Sequence, residues 1–575
     1  MRKTFFLFCP FVLAGAVFIF SNSPEENVSA TALEQYKMAN AIGCAPLSDE
    51  PMPDASGKYI GVLPGWGAHS YKISTSSDSA QVYFNQGLTM YYSYHWREAV
   101  ASFREAARFD STNAMLYWGQ ALALGPTYNF GHLYKKSAAL PAILEKMHRY
   151  LPNATPKEQM LMRAMTQRYN ASDPEDKDRQ KLNAAYAVAM QTVALQFPED
   201  LDIQALYIDA EMLIHPWDFW FNDGQPKEWT TALVQRCEKI LAGNPQHPAA
   251  LHYYIHLTEA SRRPEVALAS ADSLIQLFPG VAHMVHMSSH EYERIGYYAK
   301  GVLANEKADS SLVLYDSLAK GLFPQVHVPH YFTVDAYCAL SGAMYKRAME
   351  KSLACRNSVT PTKDATYPQY QFMFPQLAMV RLGKWQQLLN DTTYVDPAWS
   401  YAALLDHFAK GMAYSKTGNQ QAAMNQLQQL RSRMQDKILE DRFAPYTSSP
   451  VEVAAVAENI LLGTIYFKQK KYEQSLEALR KAIRAEDGLI YSEPKVWILP
   501  ARQYLGAALM QLNRAAEAEK VYRDDLVWNP GNGWSLLGLY QALKAQGKTK
   551  ELAAIEKKYR YSFSEADEMP TTSAY

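Results

Sequence analysis

Histidines at 252, 256, 283, 286, 290 and 330 are the residues whose types and spacing could do chemistry. His252 and His286 lie 34 residues apart, and so do His256 and His290. Neutral imidazole is the commonest protein ligand for Zn, Cu, Ni and Fe. Two histidines at i and i+4 sit one helical turn apart and can grip a single divalent ion. The pairs His252/His256 and His286/His290, on neighbouring helices, would together supply three or four ligands, with Glu259 or Glu293 as a carboxylate. The zincin pattern HExxH is absent.

The elements that must position these residues follow from the period. Pro245 and Pro279 keep the same 34-residue offset, the repeat length of tetratricopeptide units, which are stacked helix–turn–helix pairs. With Ala267 as the conventional small position 20, His252, His256 and Glu259 fall at positions 5, 9 and 12. His283, His286, His290 and Glu293 fall at 2, 5, 9 and 12 of the next unit, and His330 at 2 of a later one. At about 100° per residue these positions share one face of the first helix, away from the packing positions. The same face carries Gln81, Phe84, Leu88 and Tyr91 in the first unit, and Ala457, Ile460, Thr464 and Phe467 in a later one. Histidine is therefore special to the central repeats.

Other units read in the same way. Gly87, Ala99, Phe103 and Ala106 fit the small and large positions of the first, and Trp118 and Gly119 open the second. Leu462, Gly463, Tyr466, Leu479 and Ala482, then Leu505, Gly506, Leu509, Ala518 and Tyr522, and finally Trp534, Leu537 and Gly538, mark the C-terminal ones. Strand signals are absent. The expected fold is all-α, a right-handed α-α superhelix. Its divisions are residues 1–30 (signal peptide or anchor), 31–77 (extended arm), 78–357 (repeats with the histidine-rich groove), 358–399 (irregular connection with helices) and 400–575 (C-terminal repeats). His215 to Pro226 interrupts the repeats with an aromatic knot of Trp217, Phe219, Trp220 and Phe221. His215, His247 and His407 stand alone, and His407 falls at a packing position.

The 575 residues carry a formal net charge of −1, with 48% hydrophobic and 20% charged residues. That balance offers no case for a nucleic-acid or anionic-membrane partner. Arg2 and Lys3 precede an apolar run from Phe5 to Phe20, and Val28-Ser29-Ala30 offers small residues for cleavage. This predicts an extracytoplasmic protein, exported or held at the membrane by this segment alone. Cys44, Cys237, Cys338 and Cys355 form no CxxC pair. Cys338 and Cys355 fall on the two helices of one unit, which predicts proximity close to the helix crossing and room for a disulfide.

From about residue 60 the chain resembles a group of bacterial tetratricopeptide-repeat proteins, an exported group without an established reaction. The matching stretches are YFNQGLTMYYSY, YWGQALALGPTYN, NPQHPAALHYYIHLTEAS, AHMVHMSSHEYERIGYY and VYRDDLVWNPGNGWSLLGLYQAL. The resemblance implies that the histidine face lines a concave groove. It also implies a second histidine three residues after His330, where Thr333 stands, and Asn-His in the first turn, where His95-Trp96 stands. Three readings stay open: a metal site, a polar groove for a protein, peptide or small molecule, and histidines satisfied between packed helices. A metal-dependent hydrolase or oxidase using the same cluster, and a plain protein-interaction scaffold, are the alternative functions. Phosphate-loop, dinucleotide-loop and nucleophile-elbow patterns are absent.

Overall fold

The computed structural model describes residues 51–575 apart from 130–133, 171, 172, 174, 319–327 and 445. The expected signal or anchor, and residues 31–50 of the arm, lie outside the described residues. Among the described residues there is no β-strand, only an isolated bridge between Trp220 and Pro226 in the aromatic knot.

Helical hairpins follow one another. Asp78–Tyr92 pairs with Trp96–Phe109, Pro329–Ser341 with Tyr345–Asn357, Pro450–Lys468 with Tyr472–Asp487, and Ala501–Gln511 with Ala515–Trp528. Local chemistry sets the helix starts. Ser77 caps the first helix by accepting the Ala80 N–H, and Ser449 with Glu452 forms a capping box ahead of Pro450, each satisfying amides the helix cannot.

Small residues decide how closely the hairpins stack. The Phe103 ring is clamped between Gly87 and Gly119, where an added Cβ would come within 2.8 and 2.5 Å of it. The Tyr522 ring fills the same place between Gly506 and Gly538, at 2.4 and 2.3 Å. One large ring between two bare helix backbones is the interlock that the repeat pattern demands. The fold is a tetratricopeptide-like α-α superhelix. Its buried side chains form two main cores, one from Ile60 to Tyr315 and one from Tyr298 to Ala574.

The arm from residue 51 to 77 lies on the first hairpin. It is pinned by the Leu63 N–H to Gln86, the Tyr71 N–H to Asn85 and the Tyr59 N–H to Glu105. Far-apart repeats also touch. A Cβ on Gly296 would lie 2.0 Å from the Gly531 carbonyl oxygen, and Trp534 donates its indole N–H to the Ser341 carbonyl at 2.8 Å.

Cys338 and Cys355 do lie on the two helices of one hairpin, but both are buried free thiols. Cys355 Sγ sits 3.4 Å from Thr333 Oγ1, and Cys338 packs where Gly301 leaves room. The thiols fill space between different neighbours, so no disulfide forms. His407 is only partly buried and bonds Gln426 at 2.7 Å, which corrects its expected place in the core. A polar partner on the next helix keeps its ring at the rim.

Candidate metal centre

Three first helices bring the histidines together: Pro248–Thr258, Ala282–Arg294 and Pro329–Ser341. Pro248 and Pro329 sit at the first helical position, where the missing N–H costs nothing and φ is already set. The start of each helix is thereby fixed, and with it the level of His252 and His330.

The six histidines divide into two triads. His252, His256 and His283 form the first, and His286, His290 and His330 the second. In each, the candidate ligand atoms lie within 4.8 Å of one another. In the first, His252 Nε2 is 3.1 Å from His256 Nε2 and 3.1 Å from His283 Nε2. In the second, His286 Nε2 is 3.0 Å from His290 Nε2. A tetrahedral ion with nitrogen ligands at 2.0–2.1 Å spaces them about 3.3–3.4 Å apart.

Hydrogen bonds on the far side of the rings fix the tautomers. His252 Nδ1 lies 2.7 Å from the Tyr92 carbonyl oxygen, which can only accept. Nδ1 therefore carries the proton, and Nε2 presents its lone pair to the triad. His286 Nδ1 donates likewise to Asn305 Oδ1 at 2.6 Å, and Asn305 is oriented by giving its own amide N–H to the Gly301 carbonyl. His256 Nδ1 faces Glu259 Oε1 at 3.3 Å and Glu493 Oε1 at 3.4 Å. His330 Nδ1 is buried without a hydrogen-bond partner. Backbone carbonyl, amide and carboxylate partners of this kind orient metal-bound imidazoles and set their basicity.

None of the six is more than 3% exposed. Burial, aided by the neighbouring imidazoles, pushes His252, His283 and His286 well below the usual histidine range. Burial takes His290 down to about 4, and burial with His290 alongside takes His330 down to about 3. All five are neutral at physiological pH, the form in which imidazole ligates.

Two carboxylates lie between the triads. Glu259 Oε2 is 4.0 Å from His290 Nδ1, and Glu493 Oε2 is 4.0 Å from His290 Nε2. Burial and the adjacent Glu493 push Glu259 well above the usual carboxylate range. Against its own burial, Glu493 is held well below that range by Glu259 and His256. The opposite directions favour one proton on the pair, on Glu259 rather than Glu493. Trp217 steadies the anion through its indole N–H at 2.8 Å, and Tyr491 donates its hydroxyl to Glu259 at 3.2 Å.

Aromatic rings wall the first triad. Tyr94 adopts φ 57°, a left-handed conformation rare for a bulky side chain, in the turn of the first hairpin. Its ring centroid lies 4.6 Å from that of His252. Tyr128 sits 5.0 Å from His256 and stacks on Trp217 at 4.2 Å.

Several expectations change. The single ion shared by His252, His256, His286 and His290 is replaced by two triads, because His283 and His330 each complete a pair. His330 is a full member of the second triad and not an edge residue. The face is not an open groove, since the segment carrying Tyr491 and Glu493 and the loop carrying Trp217 cover it. Glu293 joins neither triad. Burial raises its carboxyl above the usual range, with Arg294 and Lys495 opposing the rise. His215 stacks flat on Trp229 at 3.7 Å.

His247 is not isolated. With His69 of the arm it flanks Asp202, at 3.5 and 2.8 Å. Asp202 also accepts the Tyr92 hydroxyl at 3.0 Å. Against its burial, hydrogen bonds from His247 and His69 hold Asp202 well below the carboxylate range. His247 Nδ1 accepts the Ala250 N–H at the helix start, so its proton sits on Nε2 and faces Asp202. The ligand atoms of His69, Asp202 and His247 also lie within 4.8 Å of one another, a third set that could hold a cation.

No family model matches the chain, and no curated protein does. Among solved structures, the human IFIT1 dimer with m7Gppp-AAAA is 12% identical over 86% of this chain and 92% of its own, with a TM-score of 0.30. The Cut9 and Hcn1 hetero-tetramer of the APC/C is 12% identical over 86% and 78%, with a TM-score of 0.26.

Proposed function

We propose that this protein binds two transition-metal ions in its interior, one in each histidine triad, and that the pair serves a metal-dependent reaction. The observation that carries the reading is the nitrogen geometry at His252. With its proton committed to the Tyr92 carbonyl, His252 Nε2 has one in-plane lone pair, yet two other imidazole nitrogens stand 3.1 Å from it. His256 Nδ1 faces the two carboxylates, so its Nε2 also presents a lone pair, and lone pairs 3.1 Å apart repel unless a cation lies between them. An ion in the middle turns all three nitrogens into acceptors of the same positive charge.

All-imidazole sets suit Zn, Cu, Ni and Fe and do not suit Mg or Ca. The proton-sharing Glu259/Glu493 pair beside both triads favours an enzyme over a storage site, because it can hold or release a proton next to the bound ions. The residues support hydrolytic or oxidative chemistry alike. Export is part of this reading, supported by the apolar N-terminal run and checked by fractionating cells.

The test is elemental analysis of untagged protein, stripped of metal and reloaded separately with Zn and Cu. Two ions per chain are expected, and none after His252, His256, His286 and His290 are replaced together by Ala. A parent protein that takes up no transition metal would reject the reading.

A further inference from the structure

Beside the carboxylate pair lies a cavity of about 70 Å³. Tyr491, whose hydroxyl bonds Glu259, forms one wall. The rest is built from both halves of the chain, with Arg262 and Arg294 on one side and Lys495, Arg502 and Trp528 on the other.

Two carboxyls, Glu486 and Asp487, also line it; burial raises Glu486 to about 7, and it accepts the Ala501 N–H. Arg502 is neutralised by Asp487 through two parallel hydrogen bonds of 2.6 and 2.8 Å. Among the described residues no carboxylate oxygen comes within ion-pairing distance of Arg262, Arg294 or Lys495, although Glu293, Glu486 and Asp525 act on Lys495 from further away. Arg294 instead gives its N–H groups to the carbonyls of Glu259, Ser261 and Trp528. Lys495 bonds the Trp528 carbonyl and Asn529. Arg262 lies 3.6 Å over the Trp528 ring, and Arg502 lies 5.0 Å from the same ring. Stacking on an indole fixes a guanidinium and leaves its N–H edge available.

Arg294 is buried, and Arg262, which donates to the Asn222 carbonyl, and Lys495 are partly buried; cations that bond only to neutral oxygens in such a place are costly unless an anion completes them. We propose that this cavity binds a small oxyanion, the phosphate or carboxylate group of the molecule processed at the histidine centre. The volume suits one such group. Planar guanidinium donors with an ammonium beside them are the donor set that holds phosphate and carboxylate oxygens. The assignment of the anion to a substrate rests on the metal reading above; the anion site itself does not.

The test is calorimetric titration of the full-length, metal-free protein with inorganic phosphate and, separately, with benzoate. Saturable one-to-one binding of at least one is expected, and the stronger of the two names the group. Arg262→Gln should weaken it tenfold or more. Arg560→Gln, at an arginine paired with Glu556 elsewhere, should leave it unchanged. Should Arg262→Gln fail to fold, Lys495→Met is the second variant, with the same expected loss. No saturable binding of either anion, or binding that Arg262→Gln and Lys495→Met both leave intact, overturns the proposal. Repeating the titration on metal-loaded protein separates the two readings: anion binding without metal uptake keeps this site and removes the centre, and metal uptake without anion binding does the reverse.

Discussion

The backbone carbonyl of Tyr92 accepts the Nδ1–H of His252 over 2.7 Å, across 160 residues of chain. That bond decides which nitrogen of His252 can ligate. Since His286 gets the same service from a different partner, Asn305, the two triads should fail independently. His252→Ala is expected to lower metal content from two ions per chain to one, and His286→Ala to do the same. Elemental analysis with circular dichroism checks it. Loss of both ions in either single variant, with helicity retained, would mean one shared centre.

Asn305 holds His286 without itself facing an ion. Asn305→Leu keeps the volume and removes the acceptor. It should weaken uptake at one of the two sites by about 10–100-fold, with two ions still bound at saturation. Competition against a chromophoric chelator measures this. An unchanged affinity would make Asn305 mere packing.

The buried imidazoles predict how the metal-free protein responds to acid. In the unfolded chain histidine protonates near 6.5, whereas folded His290 does so only near 4. Between those values the unfolded state binds more protons, so stability is fully present above about 6.5 and declines as pH falls towards 4. His290 alone accounts for roughly 3 kcal/mol by that interval. Urea midpoints at pH 7, 6 and 5 should fall in step, and the decline should be shallower in His290→Leu. Parallel curves for the two proteins would contradict it.

Gly119 tests the interlock. A methyl group there would stand 2.5 Å from Phe103, and the ring is already held by Gly87 on its other side. Gly119→Ala should cost about 1–3 kcal/mol despite the better helix propensity of alanine. Chemical denaturation reads it directly, and a neutral or stabilising result would show that the ring can give way.

The repeat pattern, its small positions and the shared face of the central histidines were legible because each depends on spacing within one helix or between adjacent ones. Gly87 and Phe103 meet for that reason, as do His252 and His256. Glu493 was not legible. It reaches His256 from 237 positions further on, through a loop between helices that has no periodicity to read. His69, from the arm, reaches Asp202 in the same unreadable way. The grouping into triads was missed because the 34-residue offset pairs His252 with His286 as equivalents. In space His252 bonds with His283 instead, 31 positions away. Glu293 shows the converse: it has the right offset from Glu259 yet joins neither triad.

The contact of Gly296 with Gly531, and of Glu493 with His256, has a consequence for when the centre can come into being. In an open repeat array each unit packs only on its neighbours. Here the histidine helices leave the ribosome long before Glu493 and Gly531 do. The interior stays open to solvent until the segment beyond residue 490, about the last seventh of the chain, has been made and packed onto the middle. A chain cut short before residue 490 would lack Glu493 and Tyr491 and would leave its six imidazoles unsealed.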